Sequence, residues 1–268
     1  MNCGGITQTS AKFIFNTMST PRSFQVAGVD GCKAGWLVAV VSAMKVSTAA
    51  NISCVYKLQE FLVAHTFSEI VSRTTPFELI CVDIPIGLSD GDKPRECDLA
   101  ARRLLHGPRA SSVFPAPVRT CLSAKDYKTA SEICFEYSGK KLNRQSFALL
   151  EKIRQVDDLM IPSLQNRLRE IHPEVSFWVL NGKKPVEQNK KTVPGQAHRH
   201  KLLHPIFADM DDILSKSTKS GFAMDDAFDA LAAAWTAGQT VLGRFRTLPE
   251  NPEIDSKGLR MEILCPAC

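Results

Sequence analysis

Two short apolar segments of the sequence each end in an aspartate. Residues 24–29 are β-prone and precede Asp30, while residues 77–82 are almost wholly apolar and precede Asp83. An apolar run of this length is typical of a strand buried on both faces in a parallel sheet. Ligand sites in open α/β sheets form at the carboxyl ends of such strands. The sequence therefore predicts an α/β fold with two carboxylates at one edge of its sheet.

The segments around these strands predict a mixed sheet with helices on its faces. Residues 36–41 follow a short Gly-bounded loop and predict a hairpin with the first strand, and residues 52–58 predict a third strand. Residues 61–71 have helical spacing. This order of elements is expected of a sheet covered by helices. Further predicted elements are helices over 97–105, 125–137, 145–160, 199–214 and 225–242, an irregular loop over 107–117 and a late strand over 175–179.

Composition limits the class of protein. The chain has 268 residues and is 44% hydrophobic, enough for one large core or two closely packed lobes. No apolar run approaches the length of a bilayer-spanning helix, which argues against a membrane protein. The net charge is +5, and much of the basic excess lies in residues 183–219. This stretch is either a phosphate-binding surface or a solvated loop.

The ends of the chain carry weaker signals. Asp30 is the first acidic residue, and the Ser- and Thr-rich segment before it predicts a disordered leader over residues 1–23, with an organelle transit peptide as the alternative for residues 1–22. Nine cysteines without a secretory signal predict reduced thiols and a cytoplasmic protein. Cys265 and Cys268 form a CxxC motif, but no second ligand pair has the spacing of a zinc site.

A third acidic feature lies at the start of the predicted helix 225–242. Asp226 and Asp229 are three residues apart and therefore share one face of this otherwise apolar helix. Helix capping accounts for one or two acids in a first turn, but not for an acid in the second turn. Carboxylates from two strand ends and one helix start are hard oxygen ligands of the kind that Mg²⁺ or Mn²⁺ prefers. The three features together predict one divalent-metal site.

Five motifs carry a resemblance to a known family. In order along residues 26–263 they resemble the domain-of-unknown-function family 429, whose members are described as predicted nucleases with a ribonuclease H fold. The helix motif is also similar to the closing helix of Holliday-junction resolvases, although the second strand-end acid is Asp83 rather than glutamate. The motifs are VDGCKAGW at 29–36, DIPIGL at 83–88, RASSVFPAP at 109–117, EIHPEVSF at 170–177 and DDAFDA at 225–230.

The resemblance implies one ribonuclease-H-like domain over residues 24–264, with a helical insertion at about 95–168. It implies that four aspartates are catalytic and bind Mg²⁺ or Mn²⁺, namely Asp30, Asp83, Asp226 and Asp229. Glu174 is a further catalytic candidate; alternatively it begins a strand and pairs with a nearby arginine. The candidates for binding substrate phosphate are Lys33, Arg109, Lys190 and Lys191; for Lys33 and Arg109 a structural ion pair is the alternative.

The expected function is hydrolysis of phosphodiester bonds in DNA or RNA by a metal-activated water. Two alternatives remain open. Actin-like and sugar-kinase-like phosphotransferases or ATPases share the fold, but they usually need two such domains with Gly-rich phosphate loops. A catalytically silent nucleic-acid-binding module is the other alternative, and the presence of all four aspartates weighs against it.

Overall fold

The structure, a computed structural model, describes residues 22–47, 52–73, 76–91, 93–217 and 221–267. A five-stranded mixed sheet forms its centre, with the strand order β3-β2-β1-β4-β5. The first three strands pair antiparallel, whereas β4 and β5 run parallel to β1. The predicted α/β fold is confirmed, and the arrangement is consistent with a ribonuclease-H-like sheet. The strands are β1 (Arg22–Cys32), β2 (Gly35–Ser47), β3 (Ile52–Ala64), β4 (Leu79–Val82) and β5 (Leu168–Glu170).

Helices cover both faces of this sheet, because successive side chains of its central strands point to opposite sides. In β1, Val26 packs into one hydrophobic cluster while Ala27 and Val29 pack into the other. The first cluster includes residues of α2 (Glu96–Leu105), α6 (Pro173–Leu180), α7 (Val193–Leu203), α8 (Met210–Ser217) and α9 (Met224–Val241). The second includes residues of α1 (Phe67–Val71), α3 (Tyr127–Ser138) and α5 (Leu150–Leu159).

The remaining elements complete the cover of the sheet. A short helix, α4 (Arg144–Ala148), precedes α5, and a hairpin of β6 (Phe245–Leu248) and β7 (Ile263–Pro266) forms a second, two-stranded sheet. The connection from β4 to β5 contains α2 to α5, in the region predicted as a helical insertion. No helix among the described residues is long and apolar enough to cross a membrane.

The long apolar helix α9 lies directly on β1 because of one glycine. A Cβ atom at Gly28 would lie 2.0 Å from the carbonyl oxygen of Ala230 and 2.2 Å from the amide nitrogen of Ala234. Only glycine permits so close an approach of two backbones. The contact fixes the position of α9 over the centre of the sheet, and its first turns lie beside the end of β1.

The late strand predicted at 175–179 is wrong. This segment is the helix α6, which begins with Pro173 after His172, whose Nδ1 atom accepts a hydrogen bond from the amide of Glu174. Nearly all of α6 is buried, and a short apolar run shows no periodicity that separates a buried helix from a buried strand. The late strand of the sheet is β5, which ends just before this helix.

Several predicted boundaries also differ from the structure. Residues 61–64 belong to β3, and α1 begins only after the capping box of Thr66. The helix predicted at 199–214 is two helices, α7 and α8, because Pro205 lacks the amide hydrogen needed to continue α7. The helix predicted at 145–160 divides at Leu149 into α4 and α5, and the loop at 107–117 starts with a 3-10 turn, Gly107–Ser112.

Most of the predicted leader lies outside the described residues. Residues 22 and 23, which fall within it, already belong to β1. Of the CxxC pair, Cys265 is buried in β7 and Cys268 lies outside the described residues.

Candidate active site

The two strand-end aspartates are neighbours across the parallel pair β1–β4. Val29 and Val82 are register partners, so Asp30 and Asp83 occupy the next position on each strand. The amide of Asp83 also donates a hydrogen bond of 3.0 Å to the carbonyl oxygen of Val29. Asp30 is buried and its Oδ1 atom accepts a hydrogen bond from Gly31, whereas the half-buried carboxylate of Asp83 has no hydrogen-bonding partner among the described residues.

Helix α9 brings two more aspartates to the same place. Asp226 caps the helix, because its Oδ2 atom accepts a hydrogen bond of 3.0 Å from the amide of Ala223. Asp229 lies one turn further on, is buried, and forms an ion pair with the ammonium group of Lys190. Capping therefore accounts for Asp226, while Asp229 has no role in the helix terminus.

Glu174 reaches the site from the first turn of α6. Its Oε1 atom pairs with the buried guanidinium of Arg199 and lies 3.8 Å from that of Arg109. Glu174 is therefore paired with arginine, as the alternative prediction for this residue stated, although it begins a helix rather than a strand. Its Oε2 atom is buried and has no hydrogen-bonding partner in the described part of the chain. A buried carboxylate oxygen without a donor is costly, so this oxygen is free to accept a ligand.

These five carboxylates line one cleft of about 580 Å³. It lies at the carboxyl ends of β1 and β4, between α6 and α9. Three of the predicted phosphate-binding residues also line it, namely Arg109, Lys190 and Lys191. Lys33 does not: it is exposed in the turn between β1 and β2. Within the described residues, the structure thus brings together all five predicted acidic residues and three of the four basic residues predicted to bind phosphate.

Burial and mutual repulsion make these aspartates hard to ionise. The pKa of Asp30 is raised well above its ordinary value, chiefly by burial and then by the charges of Asp83 and Asp229. Burial also raises the pKa of Asp83, and it raises that of Asp229 to about 6 even though Lys190 opposes the shift. Grouped carboxylates of this kind need a cation to stay charged together.

Lys190 supplies a positive charge among them. Burial alone would lower the pKa of its ammonium group, but the carboxylates of Asp229, Asp30 and Asp83 raise it above the ordinary lysine value. In turn its charge lowers the pKa values of the same three aspartates. The basic stretch 183–219 is therefore not uniformly solvated: Lys190 is directed into the cleft, and Arg199 is fully buried against Glu174.

The donor set fits Mg²⁺ or Mn²⁺, which take oxygen ligands and keep several waters. Carboxylates from β1, α6, α9 and the end of β4 line the cleft, and both the Asp83 carboxylate and Glu174 Oε2 lack hydrogen-bonding partners among the described residues. In the described part of the chain no three of the four predicted aspartates have ligand atoms within 4.8 Å of one another. Closure around an ion therefore requires side-chain movement.

One buried cluster does have metal-ligand spacing. Cys97, Asp98 and Glu170 bring ligand atoms within 4.8 Å of one another and could hold a metal ion. The guanidinium of Arg95 already bonds to both carboxylates, at 3.0 Å from Asp98 and 2.5 Å from Glu170. The remaining oxygens accept hydrogen bonds from the amides of Ile86 and Ala116. Asp98 and Glu170 also line the cleft. Since Arg95 supplies the positive charge, we assign this cluster a structural role in the wall of the cleft.

Sequence reasoning missed Arg95 and Arg199, which hold Glu170 and Glu174 respectively. No spacing rule could have paired them, since each pair is separated by many residues. The motif EIHPEVSF did contain a usable signal, because it places Glu170, His172 and Glu174 on alternate positions where a strand passes into a helix.

The fold and site together define an α/β protein with an acidic, partly buried cleft at the carboxyl ends of its parallel strands. A family model described as protein of unknown function (DUF429) matches residues 28–254, and the chain belongs to this family. The matched region contains every acidic residue of the cleft described above. No curated protein and no solved structure gave a significant match.

Proposed function

We propose that this protein is a metal-dependent phosphodiester hydrolase of the ribonuclease-H-like superfamily, acting on nucleic acid. One observation carries the proposal: Asp30, Asp83 and Asp229 converge on one cleft from two paired strands and a packed helix. Burying grouped carboxylates destabilises a fold unless a cation compensates. Such an arrangement is therefore expected where a cation has a function.

The chain would hold a divalent ion with Asp30, Asp83, Asp226 and Asp229, and Glu174 lies in the same cleft. When bound, Mg²⁺ or Mn²⁺ would activate a water for in-line attack and neutralise the leaving oxygen. Asp30 and Asp83 would hold the ion from fixed backbone positions, because β1 and β4 are paired and the amide of Asp83 is hydrogen-bonded to Val29 of β1. Arg199 orients Glu174 through their ion pair.

Positive side chains around the acids would bind the anionic substrate. Arg109 and Lys191 line the cleft, and Lys191 is exposed at its edge. Guanidinium and ammonium groups are the usual partners of phosphate oxygens. Lys33 lies outside the cleft. Its contact with a phosphate stays a prediction, and it would involve a part of the nucleic acid that lies outside the cleft.

The test is a cleavage assay with purified protein and labelled single-stranded, duplex and branched DNA and RNA. We expect cleavage of at least one substrate with Mg²⁺ or Mn²⁺ and none with a chelator. Asp30→Asn and Asp83→Asn should lose activity while remaining folded. Asp158→Asn, at an exposed position on α5, is the matched control and should behave as the wild type.

Each other outcome assigns a different function. Failure to cleave any substrate, together with no change in melting temperature on adding Mn²⁺, would refute the proposal. Hydrolysis of ATP without nucleic-acid cleavage would favour the kinase-like alternative. Binding of nucleic acid that is unaffected by metal would favour the silent binding module.

A further inference from the structure

Lys190 occupies an unusual position for a lysine in an acidic cleft. Its ammonium group is bound to Asp229, a residue of which only 2% is exposed, and its charge acts on Asp30 and Asp83 as well. A phosphate-binding lysine is expected to extend towards solvent, where the substrate arrives. Lys190 instead contacts the group that would hold the metal ion.

The backbone around Lys190 is fixed on both sides. Arg199 donates a hydrogen bond of 3.1 Å to the carbonyl oxygen of Gln188, and the carbonyl oxygen of Asn189 accepts one of 3.0 Å from the amide of Thr192. A Cβ atom at Gly195 would lie 1.9 Å from that same Asn189 oxygen, so this helix start packs against the loop without a gap. The loop therefore holds the Lys190 backbone in one place.

The side chain of Lys190, in contrast, has a route out of the cleft. The side chain of Lys190 is 34% exposed, although Asp229, which binds its ammonium group, is almost fully buried. Rotation of its flexible stem can move the ammonium group to the mouth of the cleft without any change in the backbone. The ion pair is thus reversible by side-chain motion alone.

We propose that Lys190 is a built-in counter-cation of the aspartate cluster, and that a divalent ion binds by displacing its ammonium group from Asp229. This inference rests on the proposed metal-dependent function. Before the ion binds, Lys190 neutralises part of the charge that Asp30, Asp83 and Asp229 bring into the cleft. The ion then takes over that neutralisation with a higher charge and more ligands. Lys190 consequently lowers the affinity of the site for metal.

The test is calorimetric titration of the protein with Mn²⁺ at neutral pH, without substrate. Lys190→Gln should bind Mn²⁺ about tenfold more tightly than the wild type, or roughly 1.4 kcal/mol, because no ammonium group has to be displaced. Lys190→Arg keeps the charge and should stay close to the wild type. Lys184→Gln removes the same charge from the same basic stretch and should change the affinity only slightly, since Lys184 is exposed, does not line the cleft and has no ion pair among the described residues.

The outcomes separate this inference from the proposed function. If the wild type binds Mn²⁺ and Lys190→Gln binds it equally or more weakly, Lys190 does not compete with the ion and the inference is wrong, whereas the proposed function stands. An equal gain in Lys184→Gln would also overturn it, because the gain would then come from the lower net charge of the protein and not from the position of Lys190. If neither the wild type nor any variant binds Mn²⁺, both proposals fail. Lys190→Met, which removes the ammonium group without adding a polar amide, repeats the test should Lys190→Gln fold poorly.

Discussion

Asp229 is the most deeply buried of the predicted metal ligands, and its ionisation should control metal binding. Burial raises its pKa to about 6, with the charge of Asp83 adding to the shift and Lys190 opposing it. A metal ion requires the ionised carboxylate. Below this pKa the proton competes with the ion, and above it the competition disappears. The affinity for Mn²⁺ should therefore increase as the pH rises through about 6.

The measurement is a series of Mn²⁺ titrations across this pH range. The Asp229→Asn variant has no carboxyl group at this position, so it should bind Mn²⁺ weakly and should not show the increase in affinity near pH 6. In the absence of metal, the stability of the protein should change with pH in the opposite direction. The native state holds the Asp229 proton more tightly than the unfolded chain does, so the free energy of unfolding should fall as the pH rises from 3.8 towards about 6. A Mn²⁺ affinity that is flat through this range would contradict the assignment of Asp229 as a ligand.

Among the elements, α6 and α7 are joined by one buried ion pair. Arg199 is fully buried and bonds to Glu174, and it also donates a hydrogen bond to the carbonyl oxygen of Gln188 in the Lys190 loop. Arg199→Met should lower the free energy of unfolding by about 3–5 kcal/mol, because it removes the guanidinium bonded to the buried Glu174 carboxylate, which then keeps only the more distant ion pair with Arg109, at 3.8 Å among the described residues. Denaturant unfolding measures this change.

The double variant Arg199→Met with Glu174→Gln supplies the control. It removes both charges, and so it should recover part of the loss seen with Arg199→Met alone. If the double variant is as unstable as the sum of the two single variants, the pair contributes nothing beyond packing.

Helix α9 and strand β1 depend on Gly28 for their close contact. Gly28→Ala would place a Cβ 2.0 Å from the backbone of Ala230, which cannot move without shifting the whole helix. We expect a loss of about 3 kcal/mol or more in the free energy of unfolding, by overpacking. Gly31→Ala meets only the flexible side chain of Lys152, at 2.7 Å, and should cost much less. Equal losses in the two variants would mean that α9 can move away from β1.

For the whole molecule, a bound ion would connect elements that are far apart in the sequence. Asp30, Asp83 and Asp229 belong to or directly follow β1, β4 and α9, which form the centre of the fold. An ion bound only by the native state stabilises it by about 2.7 kcal/mol at a concentration 100 times its Kd. Saturating Mn²⁺ should accordingly raise the melting temperature, and a chelator should reverse the increase.

Hydrogen exchange can show which elements the ion stabilises. Hydrogen exchange should slow in β1, β4 and α9 on adding Mn²⁺, with little change in the β6–β7 hairpin, which contributes no acid to the cleft. Uniform protection across the chain would indicate that the ion binds elsewhere. Asp30→Asn should abolish both the thermal and the exchange response.

Local sequence patterns were sufficient for the main strands and for the closing helix. The apolar runs before Asp30 and Asp83 predicted β1 and β4, because burial on both faces leaves no room for polar residues. The same reasoning failed at α6, where a buried helix has no polar face to reveal its period. It also failed at the boundary of α7 and α8, where the effect of Pro205 outweighed continuous helical spacing.

By itself the sequence determined which residue types could form a site, since acids at the ends of apolar strands and inside an apolar helix are costly wherever they are buried. It also determined the family, because the ordered motifs span most of the chain. Only the tertiary structure decided the partners. Lys190 at Asp229, Arg199 at Glu174 and Arg95 at Glu170 are contacts between distant segments. Electrostatic pairing depends on distance in space and on burial, and neither is encoded in the spacing of residues along the chain.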